Sequence, residues 1–255
     1  MTEVKAKKFL GQHFLTDENI AAKIVESLSP DTQRVLEIGP GMGVLTKYLI
    51  TRANTDFHVV EIDRESVAYL HNHYPTLDVI EGDFLKYDLT SLFHDSFSII
   101  GNFPYNISSQ ILFKVFDNRE QITEVVGMFQ KEVAERVAAG PGNKTYGILS
   151  VLLSAFYDIE YLFTVHEHVF NPPPKVKSAV IRLRRNNVHR LDCDEKLFVQ
   201  VVKAGFNQRR KTLRNALRQL NLPLDSIGED ILAKRAEQLS VEQFIQITKN
   251  LESCI

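Results

Sequence analysis

Apolar and polar positions alternate along residues 34–139 in two rhythms. Short, mostly apolar runs, typical of buried strands, are followed by segments whose apolar positions recur at helical spacing. This order predicts an α/β domain with a mostly parallel sheet. The predicted strands are 34–39, 57–62, 77–81, 97–101 and 125–130, and the predicted helices are 44–51, 64–72, 108–116 and 131–139.

The pattern changes in the last hundred residues. Two further predicted strands, 158–165 and 178–184, are joined by a proline-rich link without helical periodicity, which indicates antiparallel pairing. After Asn187 only helical patterns remain, at 195–206, 209–219, 231–236 and 241–250. We therefore predict a catalytic α/β domain over residues 1–187 and a small all-α domain over residues 188–255.

Composition narrows the class of protein. Hydrophobic residues make up 44% of the 255 and charged residues 24%, which is ordinary for a globular chain and argues against disorder. The two cysteines, Cys193 and Cys254, form no CxxC pair, so we expect neither a disulfide framework nor a metal site. No apolar run resembles a signal peptide or a membrane span, which predicts a cytoplasmic protein without a membrane partner.

Charge is distributed unevenly along the chain. The formal net charge is −2, yet residues 175–218 hold 13 Lys and Arg against 3 Asp and Glu. Such polarisation favours one surface that binds a polyanion. A solvated basic surface with no ligand is the alternative interpretation.

A glycine-rich turn lies between the first predicted strand and the following helix. Gly39, Gly41 and Gly43 form a GxGxG pattern, in which the main chain can turn sharply and a ligand can approach it closely. Glu61 ends the second strand, where an acidic side chain can accept both ribose hydroxyls of an adenosine ligand, whether NAD or S-adenosylmethionine. Asp83, after the third strand, can bond the adenine amine or simply form a turn.

The segment at residues 102–105, Asn-Phe-Pro-Tyr, follows the fourth predicted strand. An adenine N6 is a poor nucleophile because its lone pair is delocalised into the ring. The Asn102 side-chain oxygen and the Phe103 carbonyl, held by the rigid ring of Pro104, can accept its two N–H groups, while Tyr105 offers a stacking face. A plain turn beside a core tyrosine is the alternative.

Taken together, these motifs resemble those of a known family. Residues 9–15 (FLGQHFL), 37–43, 60–63, 102–107 (NFPYNI), 170–180 and 206–215 (FNQRRKTLRN) are similar to segments of the ribosomal RNA adenine N6-dimethyltransferases of the KsgA type. The resemblance covers nearly the whole chain. Because related adenine methyltransferases lack the last segment, it is the most specific.

The resemblance implies a Rossmann-like S-adenosylmethionine methyltransferase domain with a small helical domain. It also implies dimethylation of two adjacent adenosines in a small-subunit (16S) rRNA hairpin during ribosome biogenesis. Carried over by position, the cofactor contacts are His13, Leu15, Gly39, Gly41, Glu61, Asp83 and Asn102. The catalytic segment 102–105 would be completed by Phe170 as a second aromatic wall.

Two positions depart from the family pattern. His13 stands where Asn is common, so only its main chain is expected to contact the cofactor. Phe103 stands where Leu is common, and we expect little effect because its contribution is a carbonyl.

Basic residues of the C-terminal region are the candidates for RNA contact. Their spacing predicts a cluster on one helix, and such side chains grip phosphates without reading sequence. The cluster is Arg209, Arg210, Lys211, Arg214 and Arg218. We expect a monomer that acts on rRNA within a pre-30S particle.

Three other functions compete with this interpretation. A methyltransferase of the same fold could act on large-subunit rRNA or on DNA, but residues 206–215 disfavour it. A nucleic-acid binder without activity is disfavoured by the intact residues 102–105 and Glu61. An NAD-dependent oxidoreductase is disfavoured by the missing GxGxxG pattern and the lack of an acid–base pair.

Overall fold

The computed structural model describes residues 4–254; residues 1–3 and 255, which end the two predicted domains, lie outside it. The strands are β1 (Phe14–Leu15), β2 (Arg34–Ile38), β3 (Asp56–Glu61), β4 (Asp78–Glu81), β5 (Phe97–Asn102), β6 (Ile122–Gln130), β7 (Tyr157–Val165), β8 (Phe170–Asn171) and β9 (Ser178–Arg185). The helices are α1 (Glu18–Glu26), α2 (Thr46–Leu49), α3 (Arg64–His73), α4 (Ser108–Asp117), α5 (Lys131–Val137), α6 (Ile148–Ser154), α7 (Glu195–Asn207), α8 (Leu213–Leu217), α9 (Glu229–Leu232) and α10 (Val241–Glu252).

A seven-stranded sheet organises the chain. Its strand order is β4-β3-β2-β5-β6-β9-β7, with parallel pairs from β4 to β6 and an antiparallel β6–β9 pair. The last two predicted strands do lie side by side, because β7 and β9 are hydrogen-bonded neighbours. The chain order reverses at β2, where neighbours β3 and β5 lie on opposite sides, and α/β sheets place ligands at such a point.

A two-stranded sheet joins the N-terminal segment to the proline-rich segment. β1 pairs antiparallel with β8, so that Leu15 opposes Phe170. Both side chains are buried in a core cluster that includes Ile24 and Val126. Each such side chain stabilises the fold by about 1.5–3 kcal/mol through burial, which anchors the N-terminal segment against the main sheet.

Local sequence accounts for α1, which the apolar pattern had not led us to predict. The Asp17 carboxylate accepts a hydrogen bond from the Ile20 N–H and caps the helix. Ala21, Ile24 and Val25 follow at spacings that place them on one face, and all three are buried.

The chain divides into two compact units. The first comprises residues 1–134 and 160–185, and the second comprises residues 135–159 and 186–255. The predicted boundary at residue 187 lies near the end of the first unit, but the prediction assigned residues 135–159 to the catalytic domain. In the structure they group with the C-terminal helices, because α6 packs against α7 and α10.

The predicted helix over residues 209–219 is wrong in its first turn. α7 ends at Asn207, Gln208–Arg210 form a turn, and α8 begins only at Leu213. Thr212, extended at ψ 156°, marks the new start. The apolar positions of this region continue at helical spacing although the main chain does not, so periodicity alone could not locate the break.

Candidate active site

A cavity of ≈ 250 Å³ opens at the carboxyl ends of the parallel strands in the first unit. Three groups of residues line it: the ends of β2 to β5, the segment after β5, and the N-terminal segment before β1. Predicted site residues among them are His13, Gly39, Gly41, Glu61, Asp83, Asn102, Phe103, Pro104 and Tyr105. The structure therefore brings together residues that are up to 92 positions apart in the sequence, from His13 to Tyr105.

The glycine turn makes the floor of this cavity. Gly39, Gly41 and Gly43 all have positive φ angles, of 66°, 57° and 83°. At Gly41 a Cβ atom would lie 2.8 Å from the Phe14 ring, too close for any side chain. Glycine is therefore required at this position both for the left-handed main chain and for the approach of the N-terminal segment.

Glu61 is held by the main chain around it. Its Oε2 accepts from the Gly41 N–H at 3.0 Å, and its Oε1 accepts from the Asp63 N–H at 2.9 Å. The side chain is buried, and burial raises its pKa. A carboxylate has about four acceptor positions, so these two hydrogen bonds leave Glu61 acceptor capacity for a ligand hydroxyl.

Glu37 is a second buried carboxyl, near Glu61, that borders a smaller, separate pocket, and sequence reasoning had assigned it no role. Thr46 Oγ1 donates to its Oε2 at 2.6 Å. Burial raises the pKa of Glu37 to about 8, and the nearby Glu61 acts in the same direction. At neutral pH Glu37 is therefore largely protonated, which keeps a second negative charge away from Glu61.

Asp83 begins a tight turn after β4. Its Oδ1 accepts from the Leu85 N–H at 3.0 Å, while its main-chain carbonyl accepts from Lys86 and Tyr87. The side chain lines the cavity and is 27% exposed. Asp83 therefore forms the turn that was one interpretation of it, and it also lies at the cavity, where a ligand contact stays a prediction.

The Asn102 amide has a defined orientation. Its Nδ2 donates to the main-chain carbonyl of His13 at 2.8 Å, so its Oδ1 is left without a described donor. The Phe103 N–H donates to Met128 at 3.1 Å, while no described hydrogen bond uses the Phe103 carbonyl. Two acceptor oxygens from adjacent residues thus remain available at the wall of the cavity.

The Phe103 ring is fully buried. It packs against Phe129 with ring centroids 4.9 Å apart. A Cβ at Gly127 would lie 2.2 Å from the Phe103 ring. The glycine on β6 therefore makes room for a phenylalanine ring where the family commonly has leucine. This packing anchors the main chain that presents the Phe103 carbonyl.

Tyr105 faces an unexpected aromatic partner. The His13 ring stacks on it, with centroids 5.3 Å apart and planes at 30°, and His13 Nδ1 bonds the Pro172 carbonyl at 2.7 Å. Phe170, proposed as the second wall, is 3% exposed in the core cluster and does not line the cavity. Leu15 lies in that same core and borders a smaller, separate pocket.

The N-terminal segment is fastened beside Glu61 by residues that sequence reasoning missed. The Asp63 carboxylate accepts from Lys7 Nζ and, at 3.1 Å, from Gln12 Nε2. The hydrogen bonds with Lys7 and Gln12 lower the pKa of Asp63 against the opposing effect of burial. Only the position of Asp63 two residues after Glu61 could have drawn attention to it.

Comparison with known proteins shows which family this chain is similar to. The model of the ribosomal RNA adenine dimethylase family matches residues 3–253. The chain is 65% identical to ribosomal RNA small subunit methyltransferase A of Cytophaga hutchinsonii, over 98% of this chain and 99% of that one. It is 57% identical to the protein of the same name in Bacteroides thetaiotaomicron, over 100% and 97%.

This chain belongs to the ribosomal RNA adenine dimethylase family. Among solved structures, a dimethyladenosine transferase from Plasmodium falciparum matches with a TM-score of 0.77 and 27% identity, over 92% of this chain and 96% of that one. The 23S rRNA methyltransferase ErmE matches with a TM-score of 0.68 and 27% identity, over 92% and 99%. The family resemblance and the Rossmann-like methyltransferase fold predicted from the sequence are confirmed.

The residues of the cavity fit the cofactor of this family, S-adenosylmethionine. The glycine turn leaves main-chain surface uncovered, and Glu61 retains acceptor positions for a ribose. The cavity is also bordered by apolar side chains that suit an adenine ring, including Ile62 and Phe84. In the part of the chain that the structure describes, no group of three His, Cys, Asp or Glu is placed to hold a metal ion.

The basic residues of the second unit are only partly available. Arg210, Lys211 and Arg218 are exposed, and their side chains have no described hydrogen-bond or ion-pair partner. Arg209 donates to the Lys144 and Tyr146 carbonyls, which ties the turn after α7 to residues 144–146. Arg214 forms an ion pair with Glu229. The five therefore do not form the single helical cluster that their spacing predicted, since the first three precede α8.

Proposed function

We propose that this chain transfers methyl groups from S-adenosylmethionine to N6 of adenine in small-subunit rRNA, dimethylating two adjacent adenosines of one hairpin. The family and the two curated relatives support the reaction and the RNA. The observation that carries the assignment of the site is the pair of unused acceptors, Asn102 Oδ1 and the Phe103 carbonyl, at the wall of the cavity.

These acceptors address the chemical difficulty of the reaction. When they accept both N–H groups of the amine, electron density localises on N6 and the positive charge that develops there is stabilised. The His13 carbonyl keeps the Asn102 amide from flipping, because it takes up Nδ2. After transfer the nitrogen loses its proton readily, so no dedicated base is needed.

The donor end of the cavity binds and orients the methyl donor. The bound cofactor supplies an already activated methyl group on its sulfonium. We assign the main chain at Gly39 and Gly41 to the amino acid part of the donor, Glu61 to its ribose and Asp83 to its adenine. Holding donor and acceptor in line accounts for much of the remaining rate enhancement.

We assign Tyr105 to stacking on the target adenine. The ring is half-buried and its hydroxyl is bonded to Ser178 Oγ at 2.5 Å, which limits its rotation. Phe170 is buried in the core and does not line the cavity, so His13 replaces it in our assignment as the aromatic partner of Tyr105.

Action on the small subunit is favoured over the large subunit. The curated relatives at 57% and 65% identity carry the small-subunit name, whereas ErmE is 27% identical. Purified protein should methylate immature small subunits and leave 23S rRNA unmodified. Methylation of 23S rRNA alone would reverse the assignment.

RNA contact by the second unit is part of this proposal. We propose that residues 188–255 form its RNA-binding region, with Arg210 and Lys211 as the most available phosphate contacts. Charge reversal at Arg209 and Arg210 should weaken binding and lower the salt slope by about 0.7–0.9 per lost phosphate contact. Reversal at Arg210 alone separates this effect from the role of Arg209 in holding residues 144–146. An unchanged slope would remove the region from the RNA interface.

The decisive experiment is mass spectrometry of small-subunit rRNA from cells with and without the gene. We expect two adjacent dimethyladenosines to disappear in the deletion strain and to return with the wild-type gene. We further propose that the enzyme acts as a cytoplasmic monomer on an assembling pre-30S particle. Among residues 4–254, no helix is long and apolar enough to cross a membrane.

A further inference from the structure

Lys114 lies on α4, outside every motif considered so far, and makes an unusual set of contacts. Its Nζ donates to the main-chain carbonyls of Phe84 at 2.7 Å, Leu85 at 3.2 Å and Tyr87 at 2.5 Å. An ammonium has three N–H donors, so this one is fully used by a single loop, residues 83–87.

The position of this charge is costly enough to need a reason. Lys114 is half-buried, its Nζ lies 5.0 Å from the centre of the buried Phe84 ring, and burial lowers its pKa against the pull of Asp83 and Asp88. Methionine has a similar length and would fill this space without desolvating a charge. The feature that only a cation with several donors provides is the joint capture of three carbonyls.

The captured loop is the one that carries Asp83. The Phe84–Leu85 peptide unit links the two side chains. Its N–H donates to Asp83 Oδ1 at 3.0 Å, and its carbonyl oxygen accepts from Lys114 Nζ at 2.7 Å. The direction of the Asp83 carboxylate therefore depends on where Lys114 holds this peptide unit. Gly82, Asp83, Phe84 and Leu85 all line the cavity.

Lys114 also connects this loop to the other end of the site. α4 begins at Ser108, immediately after the segment that contains Asn102 and Tyr105, and Ser108 Oγ donates to the Pro104 carbonyl. The helix that starts at the catalytic segment thus fixes the loop at the donor end.

We propose that Lys114 is a positioning residue for recognition of the donor's adenine: by clamping residues 83–87 it sets Asp83 to accept a hydrogen bond from the exocyclic amine. This inference rests on the proposed function, since it assumes an S-adenosyl ligand in the cavity. It adds a determinant of nucleobase specificity that does not itself touch the ligand.

Calorimetry with two ligands tests this role. S-Adenosylhomocysteine carries the amine, whereas S-inosylhomocysteine carries a carbonyl oxygen in its place, which a carboxylate repels. The wild-type protein should prefer the adenosyl ligand by tenfold or more, the scale of one charged hydrogen bond. In Lys114→Met we expect adenosyl affinity to fall about five- to twentyfold, with little change for inosyl, so that the preference largely disappears.

Two variants control for a purely structural effect. Lys114→Arg keeps several donors and should restore part of the preference. Lys23→Met removes another helix lysine, an exposed residue of α1 whose Nζ lies 4.0 Å from the centre of the Phe163 ring. This change should leave both affinities unchanged. Melting temperatures of all variants, measured in parallel, show whether each is folded.

The possible outcomes separate clearly. Equal loss of affinity for both ligands in Lys114→Met, or no loss at all, overturns the positioning role. A preference that Lys114→Arg fails to restore at an unchanged melting temperature also contradicts it. Failure of the wild-type protein to bind S-adenosylhomocysteine would instead refute the proposed function.

Discussion

The two ends of the cavity differ in how their polar groups are partnered. At the donor end, Glu61 and Asp83 already accept hydrogen bonds from the protein. At the catalytic end, Asn102 Oδ1 and the Phe103 carbonyl have no described donor. Groups that must hold a ligand in one place are themselves held, while groups that must act on the transition state are left open for it.

The largest expected effect is at the catalytic end of the cavity. Replacing Asn102 with Ala removes one of the two acceptors and should lower the rate of methyl transfer by about 10²–10³-fold, as for other preorganised groups. Donor affinity should change far less, because Glu61 and the glycine turn remain. Single-turnover kinetics and calorimetry separate the two quantities. Wild-type turnover would show that the open oxygen has no role in the reaction.

The next effect tests the donor end. Glu61→Ala removes the proposed ribose contact and leaves the Gly41 and Asp63 N–H groups without a partner. We expect S-adenosylmethionine affinity to fall about 10–100-fold, the scale of one or two hydrogen bonds to a charged group. Glu61→Gln, which keeps the shape but loses the charge, should lie in between. Unchanged affinity by calorimetry for both variants would remove Glu61 from the site.

A third prediction concerns Glu37 and pH. Because its pKa is about 8 in the folded chain and 4.5 ordinarily, the native state holds a proton that the unfolded chain releases. Its contribution to stability is therefore complete below about pH 4.5 and is lost as the pH rises through 8. Between pH 6 and pH 8 the wild type should lose about 2–3 kcal/mol more of its free energy of unfolding than Glu37→Gln. Parallel curves from denaturant titrations would show that Glu37 does not titrate in this range.

The smallest expected effect concerns the His13 ring that stacks on Tyr105. His13→Ala removes the ring stacked on Tyr105, an interaction worth about 0.5–1.5 kcal/mol. We expect methyl transfer to fall by about two- to tenfold, mainly in KM for RNA. His13→Asn, the residue common in the family, also keeps the main-chain carbonyl but puts a planar amide where the ring was. Equal activity of all three proteins would show that the stack is incidental.

Motif spacing was sufficient to locate the cavity. A glycine turn after one strand, an acid at the end of the next and Asn-Phe-Pro-Tyr after a third must meet, because parallel strands end at the same edge of a sheet. Spacing was not sufficient for Phe170. Its place beside Leu15 in the core depends on the β1–β8 pairing, which joins residues more than 150 positions apart.

By itself, the sequence determined the alternation of strands and helices, the order of the motifs and the family. Each of these depends on neighbouring residues, through backbone geometry and hydrophobic periodicity. Only the tertiary structure decided which acceptors stay open, which aromatic ring faces Tyr105 and that Lys114 holds the loop of Asp83. These features depend on contacts between distant segments, whose side-chain directions are set by packing and by competition for hydrogen-bond partners rather than by local pattern.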